Sequence, residues 1–256
     1  MSQTTQTAAL FDAIVLAGGD SSHIDAQQPV KGLLEIAGKP MVAWAVEALM
    51  HARSIARIIV VIPPNTARGS WADGITIVEH EGSLLDNCES ALAVIDGANP
   101  LLWLSADVPA ITPEAIDDYT QRVTDRGAEL TYPMILETDI NRVFPGSVRT
   151  YMKLREGRMT GGNLFTCTLD VANKVRPIVS SFIDARKDPM AMVRLLGPGV
   201  ATKFALGSLS IADVERRIDK GFGIKAAGII TPFVEIGVDV DKPADVAPME
   251  KYLQNR

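Results

Sequence analysis

Four groups of residues are spaced along this chain as a site for polyphosphate would require. The first is Gly18-Gly19, ending the apolar run Phe11-Asp12-Ala13-Ile14-Val15-Leu16-Ala17. A glycine turn at the carboxyl end of a strand exposes backbone N–H groups that can face an anion closely. The second is Lys31, twelve residues further on, whose charge suits phosphate oxygens. The third is Asp107, within Ser105-Ala106-Asp107-Val108-Pro109 and directly after Leu101-Leu102-Trp103-Leu104. The fourth is the pair Asp239 and Asp241 in Gly237-Val238-Asp239-Val240-Asp241-Lys242-Pro243. Carboxylates from distant strands can meet at one sheet edge, where ligands bind in open α/β folds. Mg²⁺ suits such a pair, because it takes one or two carboxylates and completes its shell with water and phosphate oxygens.

Each group also has a plainer role. Paired glycines serve ordinary turns, Lys31 can be a solvated loop residue, and Asp241 can cap the final helix. Lys39 can simply stand at a helix start, where a cation is mildly unfavourable. His51 and His80 lack partners at ligand spacing and read as surface residues. The order of all four groups along one chain favours the site.

Strands are needed to place them. Asp12–Leu16, Arg57–Ile62, Ile75–Glu79, Pro100–Ser105 and Glu129–Ile135 are short apolar runs, and amphipathic helical stretches alternate with them. That is the βαβ pattern of a largely parallel sheet. Met41–His51 has helical spacing behind Pro40. Ser83–Ile95 is a helix capped by Ser83, and Thr112-Pro113-Glu114 opens another. The second half breaks this rhythm. Val148–Leu154 and Arg158–Phe165 flank a turn at Arg155-Glu156-Gly157. Helices follow at Leu169–Val175, Val179–Ala185, Met190–Leu196 and Ser210–Lys220. Strands Ile224–Ile230 and Phe233–Val240 precede a closing helix, Pro243–Leu253. The expected fold is α/β: a Rossmann-like three-layer α/β/α arrangement with a mostly parallel mixed sheet. Residues 1–10 read as a flexible tail and 11–256 as one domain, with 136–222 an inserted lobe facing the acceptor.

Bulk properties narrow the class. At 256 residues with 47% hydrophobic content the chain can bury a full core. A net charge of −6 argues against a general nucleic-acid binder. Cys88 and Cys167 form no CxxC pair and read as buried free thiols. No stretch reads as a signal peptide or a membrane span, so the expected setting is cytoplasmic. The sequence leaves a homo-oligomer open.

The ordered motifs LAGG, PxK, AGKPM, DxP and a late DxDxP resemble the nucleotidyltransferase superfamily with a GT-A-type fold. Molybdenum-cofactor and sugar-1-phosphate nucleotidylyltransferases are among its members. The likeness is closest in about the first 115 residues and about the last 25. It implies transfer of NMP from an NTP to an anionic phosphorylated small-molecule acceptor, with Mg²⁺ as cofactor and pyrophosphate released. By the same resemblance Leu16, Ala17, Gly18, Gly19, Gly82 and Ser83 contact the nucleotide, together with Lys31 and Asp107. Lys31 and Asp107 carry the catalytic role. Asp107 and Asp241 are the metal ligands, with Asp239 as the alternate. Arg149, Arg158, Thr160, Gly162 and Asn163 fall where such proteins contact the acceptor. One departure stands out: His23 occupies the loop position where the family has an arginine, and imidazole lacks arginine's bidentate fork. A catalytically weak nucleotide-binding sensor is the alternative this departure suggests. Arg53, Arg142, Arg149 and Arg158 are the candidates to compensate.

Overall fold

A computed structural model describes residues 9–176 and 188–256. The first eight residues of the expected tail and the helix expected at Val179–Ala185 lie outside the described residues.

Strand β1 (Phe11–Leu16) leads through the small hairpin β2 (Glu35–Ile36) and β3 (Lys39–Pro40) into helix α1 (Met41–His51). Then come β4 (Ile55–Ile62), β5 (Thr76–Glu79), α2 (Leu84–Leu92), β6 (Leu101–Ser105) and α3 (Pro113–Arg126). The next group is β7 (Leu130–Leu136), α4 (Glu137–Val143), β8 (Met152–Leu154), β9 (Gly157–Gly161) and β10 (Leu164–Cys167). Helix α5 covers 169–176 of the described residues. The chain closes with α6 (Pro189–Leu195), α7 (Pro198–Ala205), α8 (Ile211–Phe222), β11 (Ala226–Ile230) and α9 (Pro243–Gln254).

Period-two alternation in the central strands feeds two cores. Ala13, Val15, Val60, Leu102 and Leu104 face α1 and α3. Ile14, Ile59, Val61, Leu101 and Trp103 face the other way, toward α2 and α5. Strands this thoroughly buried on both faces read as the unbroken apolar runs seen in the sequence. The result is the expected three-layer α/β/α fold. In the main sheet β5, β4, β1 and β6 run parallel in that spatial order. Antiparallel β10 separates β6 from β7, and β11 joins β7 in parallel. The parallel strands β1 and β6 point their carboxyl ends the same way, which brings Gly18 and Asp107 to one edge.

Local chemistry sets the element ends. Ser83 caps α2 by accepting from Asp86 N, and Thr112 caps α3 by accepting from Ala115 N at 2.9 Å. Gly127 ends α3 at φ +60°, the left-handed conformation glycine adopts freely.

Three differences from the sequence reading affect the site. Phe233–Val240 forms no strand: it is a 3₁₀ turn over Val234–Ile236 followed by irregular chain. Its backbone groups bond to single residues instead of a ladder, Asn163 N to Ile236 O at 2.9 Å and Val240 N to Asp107 O at 2.9 Å. The expected strand Arg158–Phe165 divides into β9 and β10, because Gly162-Asn163 turns the chain from the hairpin into the central sheet. Consequently β10, inside the stretch expected as a lobe, is integral to the main sheet, and β9 and β8 extend that sheet from β7. The same stretch has its own small core of Leu154, Met159, Val193, Leu196, Val200 and Leu209. Helices α4 and α7 were not expected. Among the described residues no helix is long and apolar enough to cross a membrane.

Candidate active site

Lys31 stands at the centre of the carboxyl edge. Its loop returns to the glycine turn through Lys31 N to Gly19 O at 3.0 Å, and Asp20 bridges Val30 at the loop base. Gly19 has φ +94°, a conformation that favours glycine over every other residue. Gly32 is a second steric requirement: a Cβ there would lie 2.5 Å from Ala17 O. Such an approach cannot be relieved without moving backbone, so Gly32→Ala is expected to cost about 1–3 kcal/mol of stability. Urea denaturation measures this, and an unchanged midpoint would contradict it.

The Lys31 ammonium donates to Asp107 Oδ2 at 2.6 Å and to Asp241 Oδ1 at 2.7 Å. Lys31 and Asp107 side chains are each 12% exposed, and Asp241 is more open. Burial works against the charged amine, but the two carboxylates prevail and raise the Lys31 pKa above its ordinary value. The ammonium is therefore fully charged at neutral pH. Asp239 completes the group: one oxygen each from Asp107, Asp239 and Asp241 lie within 4.8 Å of one another. Arg149 grips Asp239 through an ion pair to its carboxylate and donates to its carbonyl oxygen at 3.1 Å. Asp107 Oδ1 is buried and has no hydrogen-bond partner among the described residues. An orphaned carboxylate oxygen inside a cluster of hard oxygen donors fits a divalent cation.

Asp241 does not cap α9. That work falls to Asp245, whose carboxylate accepts from Asp241 N at 3.0 Å and Lys242 N at 2.9 Å. The Asp241 side chain is thereby left to face Lys31.

The other expected contacts divide. Leu16, Ala17, Gly18 and Gly19 border the edge. Gly82 is crowded by its own chain, since a Cβ there would meet Asp86 and His80 at 2.9 Å, and Ser83 is engaged in its cap. Thr160 and Gly161 end β9 near the acidic loop. Gly161 and Gly162 are glycine because Tyr132 and Ile236 press on them, with Cβ approaches of 2.4 Å and 2.8 Å. The close neighbour is the protein itself. Asn163 is held through its backbone, Ser105 N donating to its carbonyl at 3.0 Å. Arg158 pairs with Glu137 and lies beside the Tyr151 ring. Arg53 pairs with Asp117 and Arg142 with Asp139, so Arg149 alone of the candidate arginines reaches the acidic group. Lys39 pairs with Glu47 over the Trp44 ring.

One residue at the edge was missed. Asn87 sits beside Gly18, and His80 fixes it by donating from Nδ1 to Asn87 Oδ1 at 2.9 Å. The available signal was its place one helical turn after Ser83. His23 donates to the carbonyl of Asp241 at 2.9 Å, tying the glycine loop to the acidic loop.

Residues 13–166 match the MobA-like NTP transferase domain, more than half of the chain. The chain belongs to this MobA-like NTP transferase family. A hypothetical transferase from Thermus thermophilus is 35% identical, covering 93% of this chain and 99% of its own, with TM-score 0.76. The bifunctional protein GlmU of Geobacter metallireducens is 32% identical over 138 residues. That match covers 52% of this chain but 28% of GlmU, so most of GlmU has no counterpart in the alignment. A CMP:2-keto-3-deoxy-manno-octonic acid synthetase complexed with CTP shares the fold, with TM-score 0.60 at 16% identity over 96% of this chain and 99% of that one. For a MobA-like chain, Gly18, Lys31, Asp107 and Asp241 are thus assembled at one sheet edge from four separate segments.

Proposed function

We propose that this chain is a Mg²⁺-dependent nucleotidyltransferase that moves NMP from an NTP to a phosphorylated small-molecule acceptor and releases pyrophosphate. The observation that carries the reading is the Lys31 ammonium between Asp107 and Asp241 at the glycine turn, with Asp107 Oδ1 left orphaned. The MobA-like NTP transferase family and the CTP bound to a synthetase of the same fold agree with it.

Asp107 and Asp241 would hold the metal, with Asp239 kept in place by Arg149. The bound cation would supply neutralisation of the charge that grows on the oxygen bridging to the leaving pyrophosphate. The chain's own groups do the positioning. Backbone N–H groups of Gly18 and Gly19 would face the triphosphate, the Ala17 N–H being held by Val61 O at 2.9 Å, and Lys31 would turn from the carboxylates to its oxygens. Asn87, fixed by His80, borders the nucleotide. Arg149, close to Asp239, would receive the acceptor phosphate, and Thr160, Gly162 and Asn163 would form the adjoining wall. An acceptor phosphate oxygen bonds to the α-phosphorus while the bond to the bridging oxygen breaks. Positioning and charge neutralisation carry such a transfer. No covalent intermediate on the enzyme is needed. Burial pushes both thiols up to about 12, so neither Cys88 nor Cys167 is a thiolate nucleophile at neutral pH.

Pyrophosphate release across the four NTPs, with a panel of phosphorylated acceptors, tests the reading. Release is expected with Mg²⁺, lost in EDTA and regained with excess Mg²⁺. Failure of every NTP to bind in calorimetry would refute it.

A further inference from the structure

A cavity of about 1860 Å³ opens beside the acidic group. Small-molecule pockets usually span about 300–1,000 Å³, so this space exceeds what one small polar substrate needs. One arm is charged: Arg149, Asp239, Asp241 and Lys242 line it. The other arm runs past Gly161-Gly162 and is lined by Met134, Met152, Phe165, Val193, Val214 and Ile218. These come from β7, β8, β10, α6 and α8, so strands and helices build the arm together. Phe165 is held by stacking on Trp103, with ring centroids 5.9 Å apart.

The described residues of the apolar arm offer little to a sugar. Among the described residues Glu215 is its one charged side chain, and both carboxylate oxygens are already engaged. Oε2 accepts from Arg126 at 2.9 Å and Oε1 from Gly228 N at 3.0 Å. The Thr131 hydroxyl is likewise committed, to Tyr119 and Thr166. Hydroxyls of a polyol buried against these described side chains would lose water with few partners to gain, which disfavours binding. Methylene or ring carbon gains from the same burial.

We infer that the acceptor is an amphiphile, with a phosphate head near Arg149 and an apolar body in this arm. The inference rests on the nucleotidyltransferase reading and narrows its acceptor class. It differs from that reading in what it demands of the ligand: affinity must grow with hydrocarbon length.

Isothermal calorimetry with ethyl, butyl, hexyl and octyl phosphate, kept below micelle concentrations, tests it in the full chain with and without Mg²⁺ and NTP. Affinity is expected to rise roughly fourfold per added methylene. Met134→Gln and Met152→Gln preserve side-chain length and should flatten this dependence while leaving NTP affinity unchanged, with a thermal midpoint lowered by no more than a few degrees. NTP binding combined with flat chain-length dependence would overturn the inference and leave the parent reading standing. Tighter binding of glucose 1-phosphate than of hexyl phosphate would overturn it equally. Absence of NTP binding would instead remove the parent reading, and the acceptor assignment with it.

Discussion

Asp107→Asn is expected to lower pyrophosphate release about a thousandfold while the protein still folds. The substitution keeps the shape of the side chain and the backbone bond from Val240 N to the Asp107 carbonyl. It removes the negative charge from the most enclosed carboxylate of the site, half of the clamp on Lys31. Losing one preorganised electrostatic contact to a developing charge typically costs a factor of about 100–1,000. Here the metal site should weaken as well, which places the effect at the upper end. Folding should suffer little, because Asp107 Oδ1 already lacks a partner and Lys31 keeps Asp241. Two measurements belong together: steady-state release of pyrophosphate and Mg²⁺ affinity by calorimetry. Turnover within a fewfold of wild type, with unchanged Mg²⁺ affinity, would show that the cation is held elsewhere.

That four distant segments meet was legible because each lies beside a feature with a local cause. The runs ending at Leu16 and Leu104 are buried on both sheet faces, so their apolar continuity marked strands. Thr112-Pro113 announced a helix through capping chemistry alone. The segment Phe233–Val240 misled for a physical reason. Val234, Ile236, Val238 and Val240 alternate as in a strand and are all buried. Val234, Val238 and Val240 pack into another apolar cluster with Ile135, Phe144 and Met249, however, and Ile236 into the core under α1 and α3, without a partner strand alongside. Alternation reports which side chains are buried; it does not report where the N–H groups go. The position of β10 was hidden because an antiparallel strand between β6 and β7 depends on contacts far apart in sequence. The role of Asn87 was hidden likewise, since its partner His80 lies on the far side of a loop. The closeness of Tyr132 to Gly161 and of Ile236 to Gly162 was hidden in the same way, since each pair is distant in sequence.

Lys31→Met should produce a second large effect, and one that separates a structural cation from a catalytic one. In the wild-type chain one ammonium bridges two carboxylates, and a third is gripped by Arg149. Replacing Lys31 leaves Asp107 and Asp241 facing each other without the charge that joined them. Breaking a buried pair by removing one partner costs about 3–5 kcal/mol, and the openness of Asp241 puts the expected loss near the lower bound, about 3 kcal/mol. Measured in EDTA, the urea midpoint should therefore fall. Adding Mg²⁺ should recover most of it, because a divalent cation can take the place of the ammonium between the same carboxylates. Mg²⁺ affinity in the absence of NTP should rise for the same reason, even as turnover drops about a hundredfold or more through loss of a phosphate contact. The double variant Lys31→Met with Asp107→Asn removes the repulsion at its source, so it should regain stability in EDTA and lose the response to Mg²⁺. A single variant whose stability ignores Mg²⁺ would mean that these carboxylates do not share a cation, whatever Lys31 does for the nucleotide.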